Sequence, residues 1–342
     1  MHHREERVFV REVTARSYPL REFRRAMLDA PRVRGPEVVT EGSLHRGDAD
    51  VGHSGEAPTS RTWYRLSPGD EPFWTQTLQV HFVEIAPGGA NRGHGHQNEA
   101  AFYVLEGRGY EIHDEERYEW ERGDVAIVHS DCVHRHFNAS DTERALLLVV
   151  KAKPLWMFLG LVQQGRQARM EEDSRWGPRV DWSDLWTPGV RGRRKVVKGA
   201  DVPWTRARDG EIKVLSSAAV PDLRLFSLDI YERRVPPGSR TGRHWHMADE
   251  VVYILAGRGH SLQWEVEAEI DGRYHARIAR EPSRHDVRAG DLLYVPPNTV
   301  HQTVNDSPQE PLLLLAAQNR VVKMLGYDNV VHLEDAPEWS GR

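Results

Sequence analysis

The sequence predicts an all-β chain of two barrels in tandem, with short helices confined to an N-terminal arm and to the linker between the barrels. Three observations carry this. Short runs rich in branched and aromatic residues recur between Gly and Pro at intervals of roughly 10 residues, the spacing of strands in sandwiches and barrels. The series occurs twice, over 61–151 and again over 216–325. Each copy also holds a His-x-His pair, and alternation along a strand sends both imidazoles of such a pair to one face.

The elements follow in order. Residues 1–60 form an arm in which Leu20, Phe23, Met27 and Leu28 fall at helical spacing behind Pro19, so one short helix is expected over 19–29. Residues 35–60, rich in Gly, Ser, His and Asp, read as loop or extended arm. Strands are expected at 63–66, 77–85, 101–106, 110–112, 124–128 and 145–150, which make up the first domain, 61–151. The linker, 152–215, opens with a helix over 155–170, apolar first and amphipathic after. Its five tryptophans, from Trp156 to Trp204, predict a connector with anchored side chains. Strands resume at 223–231, 251–255, 291–295 and 312–316, within a second domain over 216–325. Asp271 and Gly272 mark a hairpin with long charged arms; the pair signals a type I′ turn, whose two central positions both need positive φ. Residues 326–342 are left as a tail.

Composition narrows the chemistry. The 342 residues carry a net charge of −5 with acidic and basic side chains interspersed. The one basic cluster, 191–198, reads as solvated linker, so neither nucleic acid nor a membrane surface is an expected partner. No apolar run approaches the roughly 20 residues that cross a bilayer. The charged N-terminus has no apolar stretch behind it, so a secretory leader is not expected. A single cysteine, Cys132, excludes an intramolecular disulfide and suits a reducing compartment, hence a cytoplasmic location. Cys132 reads as a buried structural thiol, with a thiol ligand as the alternative. The partner class left is a small molecule.

The two β segments repeat one another. Val104 to Gly109 matches Ile254 to Gly259, Gly123 matches Gly290, and Val133-His134 matches Val300-His301. In the second copy His244 and His246 share a face; a third histidine from a later strand, His301, and a carboxylate, Glu250, would complete a site for a first-row divalent metal. With these anchors the chain resembles a bicupin. Gly238, His244, His246, Glu250 and Gly257 fit the first cupin motif, G-x5-H-x-H-x3-E-x6-G. Gly290, Pro296, His301 and Asn305 fit the second, G-x5-P-x-G-x2-H-x3-N, with Asn298 at its middle glycine, a substitution that tolerates left-handed backbone. The resemblance implies two jelly-roll (double-stranded β-helix) barrels and leaves the arm and linker outside it.

The first copy departs from the pattern. Gly88, His94, His96, Gly107, Gly123, His134 and Asn138 match, but Ala100 stands at the carboxylate position, and the adjacent Glu99 faces the other way. A three-histidine site results, as in gentisate-type ring-cleaving dioxygenases, which this half resembles; a decayed metal site is the other reading. The resemblance implies Fe(II), with Mn(II), Ni(II) or Zn(II) also suited to these donors, and dioxygen plus an aromatic or other carboxylic acid as substrates. The leading expectation is a non-haem iron dioxygenase cleaving a hydroxylated aromatic acid. Its alternatives are a Mn-dependent decarboxylase or isomerase at the glutamate-bearing site and a non-catalytic ligand-binding cupin. His136 shares the parity of His134 and is a candidate proton acceptor beside the metal or, equally, a satisfied core histidine. Tyr103 and Tyr253 read as packing residues. His81, His113, His129, His260, His275 and His285 lack ligand spacing and receive no role. A homo-oligomer is expected from the way cupin barrels pair by their sheets.

Overall fold

A computed structural model describes residues 60–66, 75–91, 93–159, 161 and 176–341. The expected helix over 19–29 lies outside these residues. Each half is a sandwich of two antiparallel sheets. In the first, a six-stranded sheet runs in the order Ser60–Leu66, Gln79–Ile85, Ala145–Lys151, Ala100–Glu106, Val125–Val128 and Val196–Val197. Against it lies a four-stranded sheet of His94–His96, Cys132–Asn138, Arg108–His113 and Glu116–Glu121. In the second, Thr205–Ala207, Gly210–Ser216, Leu228–Val235, Leu312–Asn319, Glu250–Ala256 and Leu292–Val295 form the larger sheet. Ser283–Arg288, Arg258–Trp264, Thr299–Asn305, Arg243–His246 and Val331–Glu334 form the smaller. These are two jelly-roll barrels wound the same way. In both, the histidine-bearing strands belong to the smaller sheet.

Strand parity explains how the barrels meet. The strand Ala145–Lys151 is buried at every position, because each of its faces has a core to fill. Leu147 and Val149 join the interior of the first barrel with Val83, Phe102 and Trp120. Leu146, Leu148 and Val150 join a cluster that also contains Ile230, Val251, Tyr253, Leu315 and Ala317 of the second barrel. The larger sheets therefore pack on one another, and each fully buried Leu or Val there contributes about 1.5–3 kcal/mol. Tyr103 and Tyr253 sit in this shared core as packing residues; Phe82 meets Tyr253 edge-on at 5.8 Å, and Tyr103 donates to Glu232 Oε1 at 2.8 Å.

Two buried carboxylates cross the junction reciprocally. Glu99 accepts from the backbone N–H of Phe226 at 2.9 Å and from the N–H and hydroxyl of Ser227 at 2.8 and 2.7 Å. Asp249, at the equivalent position of the second repeat, accepts from the N–H groups of Thr77 and Gln76 and from the Thr77 hydroxyl. Glu99 thus turns away from its own barrel, as parity requires, and serves as a clamp on its neighbour. Removing it strands the two buried donors of Ser227 and the part-buried N–H of Phe226, a buried donor costing about 1–3 kcal/mol when unsatisfied. Glu99→Ala is expected to lower the unfolding free energy by about 3 kcal/mol, and Glu99→Gln, which keeps one acceptor oxygen, by about half that. Urea titration checks both; equal losses would contradict the clamp.

The repeated motifs have matching local roles. The Nδ2 group of Asn138 donates to the carbonyls of Ile85, Ala86 and Glu143, and that of Asn305 to those of Val235, Pro236 and Glu310. Each asparagine locks the end of its ligand strand to a loop. Gly107 and Gly257 hold φ of 84° and 87°, and a Cβ there would lie 2.6 Å from Arg144 O and 2.7 Å from Pro311 O. Asn298 at φ 59° takes the left-handed conformation expected of it, and Asp131 does the same at φ 60° in the first repeat.

Several expectations need correction. The strand placed at 223–231 runs instead over Leu228–Val235, because the N–H groups of Phe226 and Ser227 go to Glu99 and cannot join a ladder. The hairpin of Val266–Ile270 and Tyr274–Ile278 turns through three residues, 271–273, with positive φ at Gly272 alone, so it is not a type I′ turn. Its charged arms project as expected and are exposed. Of the helix over 155–170, Lys153–Phe158 is seen and residues 162–170 lie outside the described part. The linker is woven into both sheets: Val196–Val197 pairs with the first barrel, and Thr205–Ala207 lies at the outer edge of the second. Trp156 packs on the shared core, Trp186 donates to Asp131 at 3.3 Å, and Trp204 carries Lys213 and Arg234 over its ring. Trp182, half exposed, also hydrogen-bonds the Asp131 carboxylate, and Trp176 is exposed. Among the described residues no helix is long and apolar enough to cross a membrane.

Candidate metal centres

In the second barrel the strand pairing puts His244 directly opposite His301. The ligand atoms of His244, His246 and His301 all lie within 4.8 Å of one another. All three residues are buried. Each ring is oriented through Nδ1, at 3.1 Å from Gly242 O for His244, 2.8 Å from Ala248 O for His246 and 3.1 Å from Thr299 O for His301. A carbonyl accepts only, so each Nδ1 carries the proton and each Nε2 offers a bare lone pair. Among the described residues the Nε2 atoms of His244 and His301 are buried without a hydrogen-bond partner. That of His246 faces the Gln318 amide at 3.1 Å. Burial, helped by His244 and His246 and opposed by Glu250, holds His301 well below the usual imidazole range, and His244 is lowered to about 4 by burial against the opposing pull of Asp209. Buried, neutral, oriented imidazoles with convergent lone pairs fit a divalent cation.

Glu250, the expected carboxylate, borders this set. Its Oε2 lies 3.3 Å from His246 Nε2 and accepts from Gln318, while Oε1 pairs with Arg233 at 3.2 Å. Burial alone would raise its pKa, but Arg233 and the neighbouring histidines hold it well below the usual carboxylate value. Arg233 is itself buried, and its Nε has no partner among the described residues. Behind the ligands, Asp209 Oδ1 lies 3.3 Å from His244 Nδ1 and 2.9 Å from His332 Nε2. His332 belongs to Val331–Glu334, which pairs with the strand carrying His244 and His246.

The first barrel repeats the frame with different contents. His94 pairs with His134 and His96 with Cys132; the side chain of His94 lies outside the described residues. His96 and His134 are buried with ring centroids 4.9 Å apart, and His96 Nδ1 is 2.7 Å from Asn98 O. Ala100 is buried in the barrel interior and offers no ligand. A carboxylate reaches this interior from elsewhere: Glu111, fully buried, lies 3.2 Å from His113 Nε2 and 3.1 Å from His136 Nδ1. Burial pushes its pKa up, yet the two imidazoles bring it down to about 2. His136 faces inward as its parity requires, 5.5 Å from the His134 ring, and burial lowers its pKa.

Sequence reasoning found the motif histidines and missed Arg233, Gln318, Asp209, Glu111 and His113. Two of these had a visible signal. Glu111 and His113 alternate along a strand, so two ionisable groups share a face that should line a core. The others lie outside the motifs, Arg233 and Gln318 on strands and Asp209 in the turn between Thr205–Ala207 and Gly210–Ser216. Arg233 occupies the place that Val83 holds in the first repeat, an offset of 150 residues that also relates His94 to His244.

Residues 81–151 and 231–317 each match the family model for the cupin domain. A salicylate 1,2-dioxygenase mutant from Pseudoaminobacter salicylatoxidans in complex with gentisate superimposes with a TM-score of 0.61 over 95% of this chain and 87% of that one, at 12% identity. A Bacillus subtilis oxalate decarboxylase does so with a TM-score of 0.52 over 79% and 74%, at 16% identity. Such likenesses establish the fold alone. Among curated proteins, an auxin-binding protein of Nicotiana tabacum is 26% identical over 103 residues, 30% of this chain and 51% of that protein. A 3-hydroxyanthranilate 3,4-dioxygenase of Cupriavidus pinatubonensis is 36% identical over 75 residues, 22% of this chain and 30% of that protein. The chain thus spans about half or less of the curated relatives it matches. Two regions that match the cupin domain, wound alike and packed on one another, give the chain the plan of a bicupin.

Proposed function

We propose that His244, His246 and His301 hold an iron(II) ion and that the protein is a non-haem dioxygenase cleaving a hydroxylated aromatic acid. The observation that carries this is the convergence of three buried, oriented imidazoles, with the Nε2 atoms of His244 and His301 lacking a hydrogen-bond partner among the described residues. Three imidazoles leave the charge of a divalent ion uncompensated and several positions open, which suits an anionic, bidentate substrate beside dioxygen. Bound there, the ion supplies Lewis acidity and an electron path between the two substrates. The protein's own residues do the rest. Arg233, buried at the site with its Nε unclaimed, supplies a cationic donor for a substrate carboxylate. Glu250 holds the guanidinium in place, and the barrel wall excludes bulk water. The first barrel's His94, His96 and His134 are assigned to a second ion, with His136 as the group that holds a proton near it and the ionised Glu111 as the acceptor facing that proton. The fold shared with the salicylate dioxygenase complexed with gentisate supports the aromatic acid class.

The test is anaerobic loading with Fe(II), followed by oxygen uptake and absorbance with gentisate, hydroxynaphthoate and salicylate. Expected is oxygen consumption matched to loss of one of these acids; no turnover with iron fully loaded would reject the reading. One observation favours a second reading. Glu250 lies near enough to His246 to complete a three-histidine, one-carboxylate set suited to Mn(II) and a decarboxylase. Carbon dioxide release from a Mn(II)-loaded protein without net oxygen uptake would support it.

A further inference from the structure

The first barrel contains a second group of soft ligands that no cupin motif contains. One ligand atom each from His113, His129 and Cys132 lie within 4.8 Å of one another, and all three residues are buried. The three come from different places: His113 ends the strand Arg108–His113, Cys132 begins the strand Cys132–Asn138, and His129 stands in the turn between the strands Val125–Val128 and Cys132–Asn138. In the second repeat Pro296 stands where His129 does.

We infer that this group is a zinc site, separate from the motif histidines. The hydrogen bonds select the donor atoms. His129 Nδ1 lies 2.9 Å from Ser130 O, so that nitrogen carries the proton and Nε2 keeps its lone pair. His113 turns Nε2 toward Glu111 at 3.2 Å, and its Nδ1 is buried with no hydrogen-bond partner among the described residues. A carboxylate on the far nitrogen of an imidazole is the arrangement that orients metal-ligating histidines and makes them better donors. It also explains the buried Glu111. A sulfur donor with two imidazoles selects Zn(II) over the oxygen-preferring ions. A fourth donor stands close by: Asp114 has one oxygen fixed by the Val133 N–H at 3.0 Å and the other 3.8 Å from His129 Nε2. Asp114 also lines a cavity of about 670 Å³ with Asp131, Trp182, Trp186 and Arg191, which gives a cation its way in.

Cobalt(II) replaces zinc at such sites and reports sulfur ligation by a charge-transfer absorption in the near ultraviolet. Cys132 is the only cysteine, so the band has one possible source in the chain. Titrating metal-free protein with Co(II) is expected to develop this band to one equivalent, and one equivalent of Zn(II) to abolish it. Cys132→Ser should remove the band, His129→Gln should weaken Co(II) binding at this site by at least tenfold, and His301→Ala should leave it intact. Folded wild-type protein that saturates with cobalt without the band overturns the inference, whatever the variants do. So does a band unchanged in both His113→Gln and His129→Gln, which would place the sulfur with other ligands. The readout involves neither iron nor turnover, so it stands or falls apart from the dioxygenase reading.

Discussion

Replacing His301 by Ala is expected to remove one equivalent of divalent metal from the loaded protein and to abolish the stabilisation that metal gives to the second barrel. His301 is fixed through Thr299 O and stands opposite His244 across two strands. Without it two imidazoles remain, and the nearest carboxylate is committed to Arg233 and Gln318. Loss of a group that merely orients a ligand costs 10–100-fold in metal affinity, so loss of the ligand itself costs more than about 100-fold. In wild-type protein, metal at a thousandfold excess over its dissociation constant stabilises the folded state by about 4 kcal/mol. The variant should show almost none of this at the same concentration. Elemental analysis after gel filtration and melts with and without metal measure the two effects. Glu250→Gln separates the carboxylate's two possible duties. It leaves a buried Arg233 facing a neutral partner, and breaking such a pair costs about 3–5 kcal/mol. If the imidazoles alone hold the ion, metal content survives in Glu250→Gln while stability falls. Equal metal loss in both variants would make Glu250 a ligand.

The sequence announced the barrels because a jelly roll is written in local signals. Glycines such as Gly107 and Gly257, the Asn138 and Asn305 clamps, and strands of strict parity each act within a few residues or across one hairpin. The duplication then made each repeat a check on the other. What escaped notice depends on contacts across the fold. Gln318 reaches Glu250 from the neighbouring strand, and Arg233 reaches the same carboxylate from the strand beyond it, neither with a motif. His113 and His129 are 16 positions apart and share no ligand spacing; only closure of the barrel brings them to Cys132. Glu99 was legible in its direction, since parity turned it outward, but its Ser227 partner lies 128 positions away. The strand expected at 223–231 failed for the same reason: its apolar residues are buried as expected, while a distant carboxylate takes its backbone donors.

Acidification should destabilise the metal-free protein well above the pH at which carboxylates titrate. Burial drives His129 down to about 3, helped by the positive Arg224 and Lys195 and opposed by the Ser130 carbonyl. It drives His244 down to about 4, opposed by Asp209. In the unfolded chain both titrate near 6.5. Between the two values the unfolded state binds the proton and the folded state does not, so stability falls as pH falls. Going from pH 7 to pH 5, each of the two contributes a loss of about 2 kcal/mol. His136 and His301, lowered in the same direction by burial, add to it. Below about 4.5 the sign persists: Glu111, held at about 2, and Glu250, held well below its ordinary value, stay ionised in the fold while the unfolded chain takes up protons. Urea midpoints at pH 7.5, 6 and 5 measure the slope, which His244→Gln should flatten by removing one contributor. Divalent metal competes with protons for the same lone pairs, so saturating metal should carry the acid limb to lower pH. Stability unchanged between pH 7.5 and 5 in the metal-free protein would mean that these imidazoles are not held neutral inside the barrels, and the candidate centres would lose their preorganised donors.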